Sequence, residues 1–138
     1  MIQQQTQVYS KPYIGIPYAP LGRDPAVGLD CWGFAHHVLR NAFNLYVPSY
    51  DEESSSTDIR FAIYEVLKDG DWELIGRGME REGDLIGFRT VREPWHIGVV
   101  VGNNNMLHMI AGANSCLERY DAMHWHYLIC GFYRWSRS

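Results

Sequence analysis

The chain has 138 residues, is 46% hydrophobic and 20% charged, and carries a net charge of −4. Its basic residues form no block or stripe, which argues against nucleic-acid binding, and no run of about 18 apolar residues occurs to make a membrane-spanning helix. Three cysteines at irregular spacing, with no C-x-x-C pair, fit neither a disulfide framework nor a zinc ribbon.

Residues 1–12 are polar and read as an N-terminal arm, leaving 13–138 as a single domain. The first ten residues lack the basic start and apolar run of a signal peptide. Together with reduced thiols, this predicts synthesis in a cytoplasm. Ordered structure is expected from Tyr13-Ile14-Gly15-Ile16-Pro17-Tyr18, followed by a turn rich in Pro and Gly from Pro20 to Gly28. A helix is predicted over about Cys31 to Asn44. Asp30 is its N-cap, and Phe34, Val38, Leu39 and Ala42 recur at helical spacing.

Residues 47–56 read as a polar loop, with Asp51-Glu52-Glu53 as a solvated face. A second helix is predicted over Thr57 to Lys68: Ile59, Ala62, Ile63, Val66 and Leu67 form one stripe, Ser55 and Asp58 fit a capping box, and Gly70 stops it. The period then changes to that of strands, at Trp72–Ile75, Gly83–Phe88, His96–Val101, Asn105–Ala111 and Tyr127–Arg134. Helices first and an antiparallel sheet afterwards define an α+β domain.

Cys31 stands at the start of a helix, where backbone N–H groups lower a thiol pKa. Two histidines, His96 and His108, fall on neighbouring strands. Side chains alternate along a strand, so register decides whether the two share a face. A three-residue loop, Gly102-Asn103-Asn104, pairs Gly98 with His108 and makes His96 a diagonal neighbour of His108; a two-residue loop puts them on opposite faces. With the first register, Cys31 is a candidate nucleophile, His96 its general base and His108 the residue that orients His96. Tyr18 offers a phenolic donor to an oxyanion. Each residue also has a plain packing role open to it: a free Cys is commonly buried as a small apolar group.

Other features carry less. Adjacent residues on a helix point about 100° apart, so His36-His37 cannot serve one metal. His124-Trp125-His126 has no third ligand nearby and fits a loop beside the cleft, while Cys116 and Cys130, lacking a local base, read as structural. Trp32 and Trp95 flank the nucleophile and base, as cleft walls or as core. No cofactor or metal is called for.

Gly15-Ile16-Pro17-Tyr18 followed by Gly28-Leu29-Asp30-Cys31-Trp32-Gly33-Phe34 resembles the nucleophile segment of the NlpC-type peptidoglycan endopeptidases. Gly83-Asp84-Leu85-Ile86-Gly87-Phe88, His96-Ile97-Gly98-Val99-Val100-Val101-Gly102 and Met106-Leu107-His108 resemble their following strands. The likeness runs over residues 13–134. It implies a papain-like α+β fold, with N-terminal helices on an antiparallel, partly barrel-like sheet. It also implies cleavage of the γ-D-glutamyl–diamino acid bond of peptidoglycan stem peptides, with Cys31, His96 and His108 as triad. Tyr18 becomes the oxyanion helper, and Asp30, Trp32 and Trp95 the surroundings of the substrate.

Trp32 stands where these enzymes commonly have Ser, and the turn before Cys31 is longer than usual. Both features, with Gly131-Phe132-Tyr133-Arg134, resemble the members found in tailed-phage tail assembly proteins. That likeness implies tail-tip or hub proteins as partners and a virion tail, or a particle such as a gene transfer agent, as the carrier. Two other readings stay open: a structural tail-tip component that keeps the fold, and an amidase, transpeptidase or deamidase on the same fold.

Overall fold

The computed structural model describes residues 9–49, 68–90 and 96–136. Most of the expected second helix, residues 57–67, lies outside them, as do Asp51-Glu52-Glu53 and Trp95.

A short 3₁₀ turn, Lys11–Tyr13, leads into strands β1 (Arg23–Asp24) and β2 (Gly28–Leu29), which pair antiparallel. Helix α1 (Cys31–Phe43) follows directly. The rest is one six-stranded antiparallel sheet: β3 (Trp72–Ile75), β4 (Leu85–Phe88), β5 (His96–Gly102), β6 (Asn105–Met109), β7 (Ser115–Arg119) and β8 (Ile129–Trp135). The spatial order is β3-β8-β4-β5-β6-β7, an open sheet with β3 and β7 at its edges. The sheet does not close. The last strand is interior, inserted between β3 and β4. A single turn of helix, α2 (Met123–His126), connects β7 to β8.

α1 forms where its sequence predicts. The Asp30 side chain accepts from the Gly33 N–H at 2.7 Å, satisfying a first-turn donor, and Asn44 ends the helix in the left-handed conformation at φ 56°. Phe34, Ala35, Val38 and Leu39 share one fully buried cluster with Ile97, Val99 and Val101 of β5 and Leu107 and Met109 of β6. Apart from Ala35, each of these side chains contributes about 1.5–3 kcal/mol on leaving water. The opposite face of the sheet has its own cluster. Ile86, Phe88, Val100, Met106 and Phe132 lie there under Trp125, Leu128 and Ile129.

Strand alternation sorts the two faces. On β5, Ile97, Val99 and Val101 go to the helix side, so His96, Gly98 and Val100 go to the other. On β6, Leu107 and Met109 go to the helix side, and Met106 and His108 to the other. The observed pairing is Gly98 with His108, Val99 with Leu107 and Val100 with Met106, but then Gly102 with Asn105. The connection is therefore a two-residue turn, Asn103-Asn104, with both residues left-handed at φ 51° and 58°. The expected three-residue loop is not formed. A bulge at Val101 absorbs the extra residue and restores the shared face that a plain two-residue turn would have lost.

The stretch expected to be an arm is ordered where it is described. Tyr9 donates its hydroxyl to the Val101 carbonyl at 2.5 Å, and Lys11 begins the 3₁₀ turn.

Candidate active site

The entry to α1 is held by close backbone packing. A Cβ on Gly33 would stand 2.2 Å from the Gly22 carbonyl oxygen, so only glycine lets the turn lie against the first turn of the helix. Arg23 reaches across with its Nη1 donating to the Gly22 carbonyl at 2.9 Å and to Asp30 Oδ1 at 2.7 Å. Asp30 is thus occupied as a cap and an ion-pair partner; its structural duty is to fix the residue that follows it. That residue is Cys31, a buried thiol at the helix N-terminus.

Tyr18 runs alongside. It bridges in parallel to Leu29, with the Leu29 N–H donating to the Pro17 carbonyl at 2.9 Å and the Ala19 N–H to the Leu29 carbonyl at 3.2 Å. The half-buried Tyr18 is thereby tied to the strand that feeds Cys31. Trp32 is wholly buried and its indole N–H donates to the Ser49 carbonyl at 2.7 Å. It braces the first turn from within the core and, being without exposed surface, does not wall a cleft.

His96 and His108 are both buried and meet directly, with His96 Nε2 2.8 Å from His108 Nδ1. The sequence did not predict what surrounds them. Trp125 from α2 stacks on His96 at 5.7 Å between ring centroids and 20° between planes, and stands edge-on to His108 at 5.2 Å. Phe88 closes another side of His96 at 5.8 Å. On β7, which pairs His108 with Cys116 and Met106 with Glu118, two side chains turn toward the same face. Glu118 Oε1 lies 2.8 Å from His108 Nε2, and Cys116 Sγ lies 3.3 Å from that nitrogen. The other carboxylate oxygen, Oε2, lies 2.8 Å from His124 Nε2.

The hydrogen bond from His108 holds the Glu118 carboxyl down at about 2 against the opposing effect of burial, with the His124 ring adding to the pull. Glu118 is therefore an anion throughout the neutral range. Burial, and next the Glu118 charge, push the Cys116 thiol up, so it stays protonated beside the anion. Ligand atoms of His108, Cys116 and Glu118 lie within 4.8 Å of one another, close enough to converge on a cation. The hydrogen bonds among them already account for that closeness.

The remaining histidines fall elsewhere. His36 Nε2 donates to the Val47 carbonyl at 2.9 Å, and burial followed by the His36 charge lowers the His37 pKa. His126 Nδ1 lies 2.8 Å from Arg77 Nη2. Glu118 is the neighbour of the histidine pair that sequence reasoning missed; the segment His124-Trp125-His126 was placed beside the cleft, but not the stacking of Trp125 on His96. The signal for Glu118 was the short alternation Ser115-Cys116-Leu117-Glu118 after the Gly112-Ala113-Asn114 turn, which returns a strand beside His108.

A cysteine at the head of a helix packed on an antiparallel sheet that carries a histidine is the arrangement of the papain-like class of α+β fold. Within it, the NlpC/P60 family matches residues 15–134, and the chain belongs to that family. It is 27% identical over 111 residues to the Murein DD-endopeptidase MepS/Murein LD-carboxypeptidase of Escherichia coli K12, covering 80% of this chain and 51% of that one. It is 20% identical over 129 residues to the Gamma-DL-glutamyl hydrolase of Bacillus subtilis 168, covering 92% of this chain and 28% of the relative. The chain thus spans about half the length of the murein peptidase and less of the glutamyl hydrolase.

Among solved structures, the NlpC/p60 domain of peptidoglycan hydrolase SagA matches with a TM-score of 0.55 at 19% identity, covering 94% of both chains. An NlpC/P60 family protein from Bacillus cereus matches with a TM-score of 0.65 at 19% identity, over 99% of this chain and 39% of that one. These likenesses support the fold.

Proposed function

We propose that this chain is a cysteine endopeptidase that hydrolyses the γ-D-glutamyl–diamino acid bond of peptidoglycan stem peptides. The observation that carries the reading is the buried His96–His108 hydrogen bond, in a chain whose relatives include a named murein endopeptidase and a named glutamyl hydrolase. In this reading Nδ1 of His96 takes the Cys31 proton, and the thiolate attacks the glutamyl carbonyl carbon. The Cys31 backbone N–H, the helix N-terminus and the Tyr18 hydroxyl stabilise the oxyanion. The tetrahedral intermediate collapses as the His96 imidazolium protonates the leaving amine, giving a thioester. Water, deprotonated by His96, then releases the glutamyl carboxylate and restores the thiol.

Cys31 stands at the N-terminus of the helix whose buried residues pack against β5, the strand that His96 begins. Muropeptides incubated with the wild type and with Cys31→Ala, followed by mass spectrometry, test the reading. Cleavage after D-glutamate by the wild type alone is expected. Cleavage of a different amide would select the amidase or deamidase alternative, and no cleavage of any would favour a structural role.

The finer reading is delivery by a phage or phage-like tail, with tail-tip proteins as partners. It is supported by the Trp32 and Gly131-Phe132-Tyr133-Arg134 resemblances, and its test is proteomic detection of the chain in purified particles of the source strain.

A further inference from the structure

We propose that Glu118 is a fourth member of the relay, a positioning residue that decides which nitrogen of His108 carries the proton and so sets His96 as a base. The proposal rests on the reading of Cys31 and His96 as nucleophile and base.

The argument follows hydrogen-bond direction along three groups. An ionised carboxylate can only accept, so the 2.8 Å contact from His108 Nε2 to Glu118 Oε1 requires the proton on Nε2. A neutral imidazole carries one ring proton, so Nδ1 of His108 is bare and accepts. The 2.8 Å contact to His96 then requires a proton on His96 Nε2. Nδ1 of His96 is consequently the bare nitrogen, the one the proposed chemistry needs. One charge on β7 fixes the polarity of the whole chain of bonds.

Removing that charge leaves a specific alternative. Cys116 Sγ, 3.3 Å from the same Nε2, is a protonated thiol able to donate. With the thiol as donor, Nε2 of His108 becomes the acceptor and its proton moves to Nδ1. The His96 tautomer then reverses, and a protonated Nδ1 cannot take the proton of Cys31. Glu118 is itself held on its second oxygen by His124 Nε2 at 2.8 Å, which aims the first oxygen at His108. When the thiol proton passes to His96, the positive charge forms one imidazole away from the Glu118 anion, which lowers its cost without itself taking a proton.

The test uses the full chain, uniformly labelled with ¹⁵N, and long-range proton–nitrogen spectra that read each imidazole tautomer. Glu118→Met, which keeps the volume and loses the acceptor, is expected to move the His108 proton from Nε2 to Nδ1. On muropeptides it should lower kcat by about 10-fold or more with KM within about twofold, because removing an outer partner of a histidine costs about 10- to 100-fold and a reversed tautomer up to about 10⁴. Glu118→Gln restores an acceptor without charge and should recover part of kcat. A folded Glu118→Met with the wild-type tautomer and kcat overturns the proposal. Should Glu118→Met not fold, an unchanged kcat in Glu118→Gln overturns it, and a fall of about tenfold supports it. A wild type that cleaves nothing, with the His108 tautomer still reversed by Glu118→Met, contradicts the proposed function while upholding the relay.

Discussion

Glu118 illustrates how a single side chain acts on both stability and chemistry. Its carboxyl ordinarily titrates near 4.5 and is held at about 2 in the fold, chiefly by the hydrogen bond from His108. A carboxyl whose folded pKa is depressed adds stability above its unfolded pKa and loses it as the pH falls through the folded value. Between pH 4.5 and 2 the unfolded chain takes up the proton first, so wild-type stability should drop steeply through that window. Urea unfolding of the wild type and Glu118→Gln from pH 6 to pH 3 checks this: the gap between them should narrow as the pH falls. A constant gap would mean that the carboxylate is not held by its partners. The helix start at Cys31 and the shared face of His96 and His108 were legible from sequence because capping and strand alternation are local patterns. Glu118 was not, because Glu and Arg weaken the strand signal of Ser115–Arg119, and its meaning depends on which strand lies beside it.

At the scale of elements, the sequence legibly carried α1, whose cap and apolar spacing are read within one segment, and β3, whose bounds were predicted as found. It did not carry the order of strands. β8 enters between β3 and β4, a long-range choice made by packing, and one device that fixes it is the Asp84–Arg134 pair. Arg134 donates from Nε and Nη2 to the two Asp84 oxygens at 2.8 Å each, and the Arg81 N–H adds a third bond at 2.9 Å. Asp84 is buried, so Asp84→Ala should leave a partly buried guanidinium without its counter-charge and cost about 3 kcal/mol. Denaturant unfolding measures this directly, and a loss under about 1 kcal/mol would mean that the pair is a surface contact of little weight. The β5–β6 turn gives the subtler lesson. Histidine pairing was anticipated through a three-residue loop and is achieved through a two-residue turn plus a bulge, because side-chain burial, not loop length, sets the register.

For the molecule as a whole, one fold gives three thiols three different surroundings. Cys31 is buried at a helix N-terminus, Cys116 is half-buried beside an anion, and Cys130 is exposed at the start of β8. Burial and the Glu118 charge raise the Cys116 pKa, and burial raises that of Cys130 against the opposing pull of Arg89. Two thiols of the chain are thus poor nucleophiles near neutrality and serve as internal controls for the third. The family, the fold and the imidazole pair all bear on the claim that Cys31 is an activated nucleophile.

The most direct test is alkylation of the native protein with iodoacetamide across pH 5 to 10, with each cysteine followed by peptide mass mapping. The account predicts that Cys31 reacts already at about pH 6, well before Cys116 and Cys130, and that His96→Ala abolishes this early reaction. Simultaneous labelling of all three thiols only above about pH 9 would contradict it.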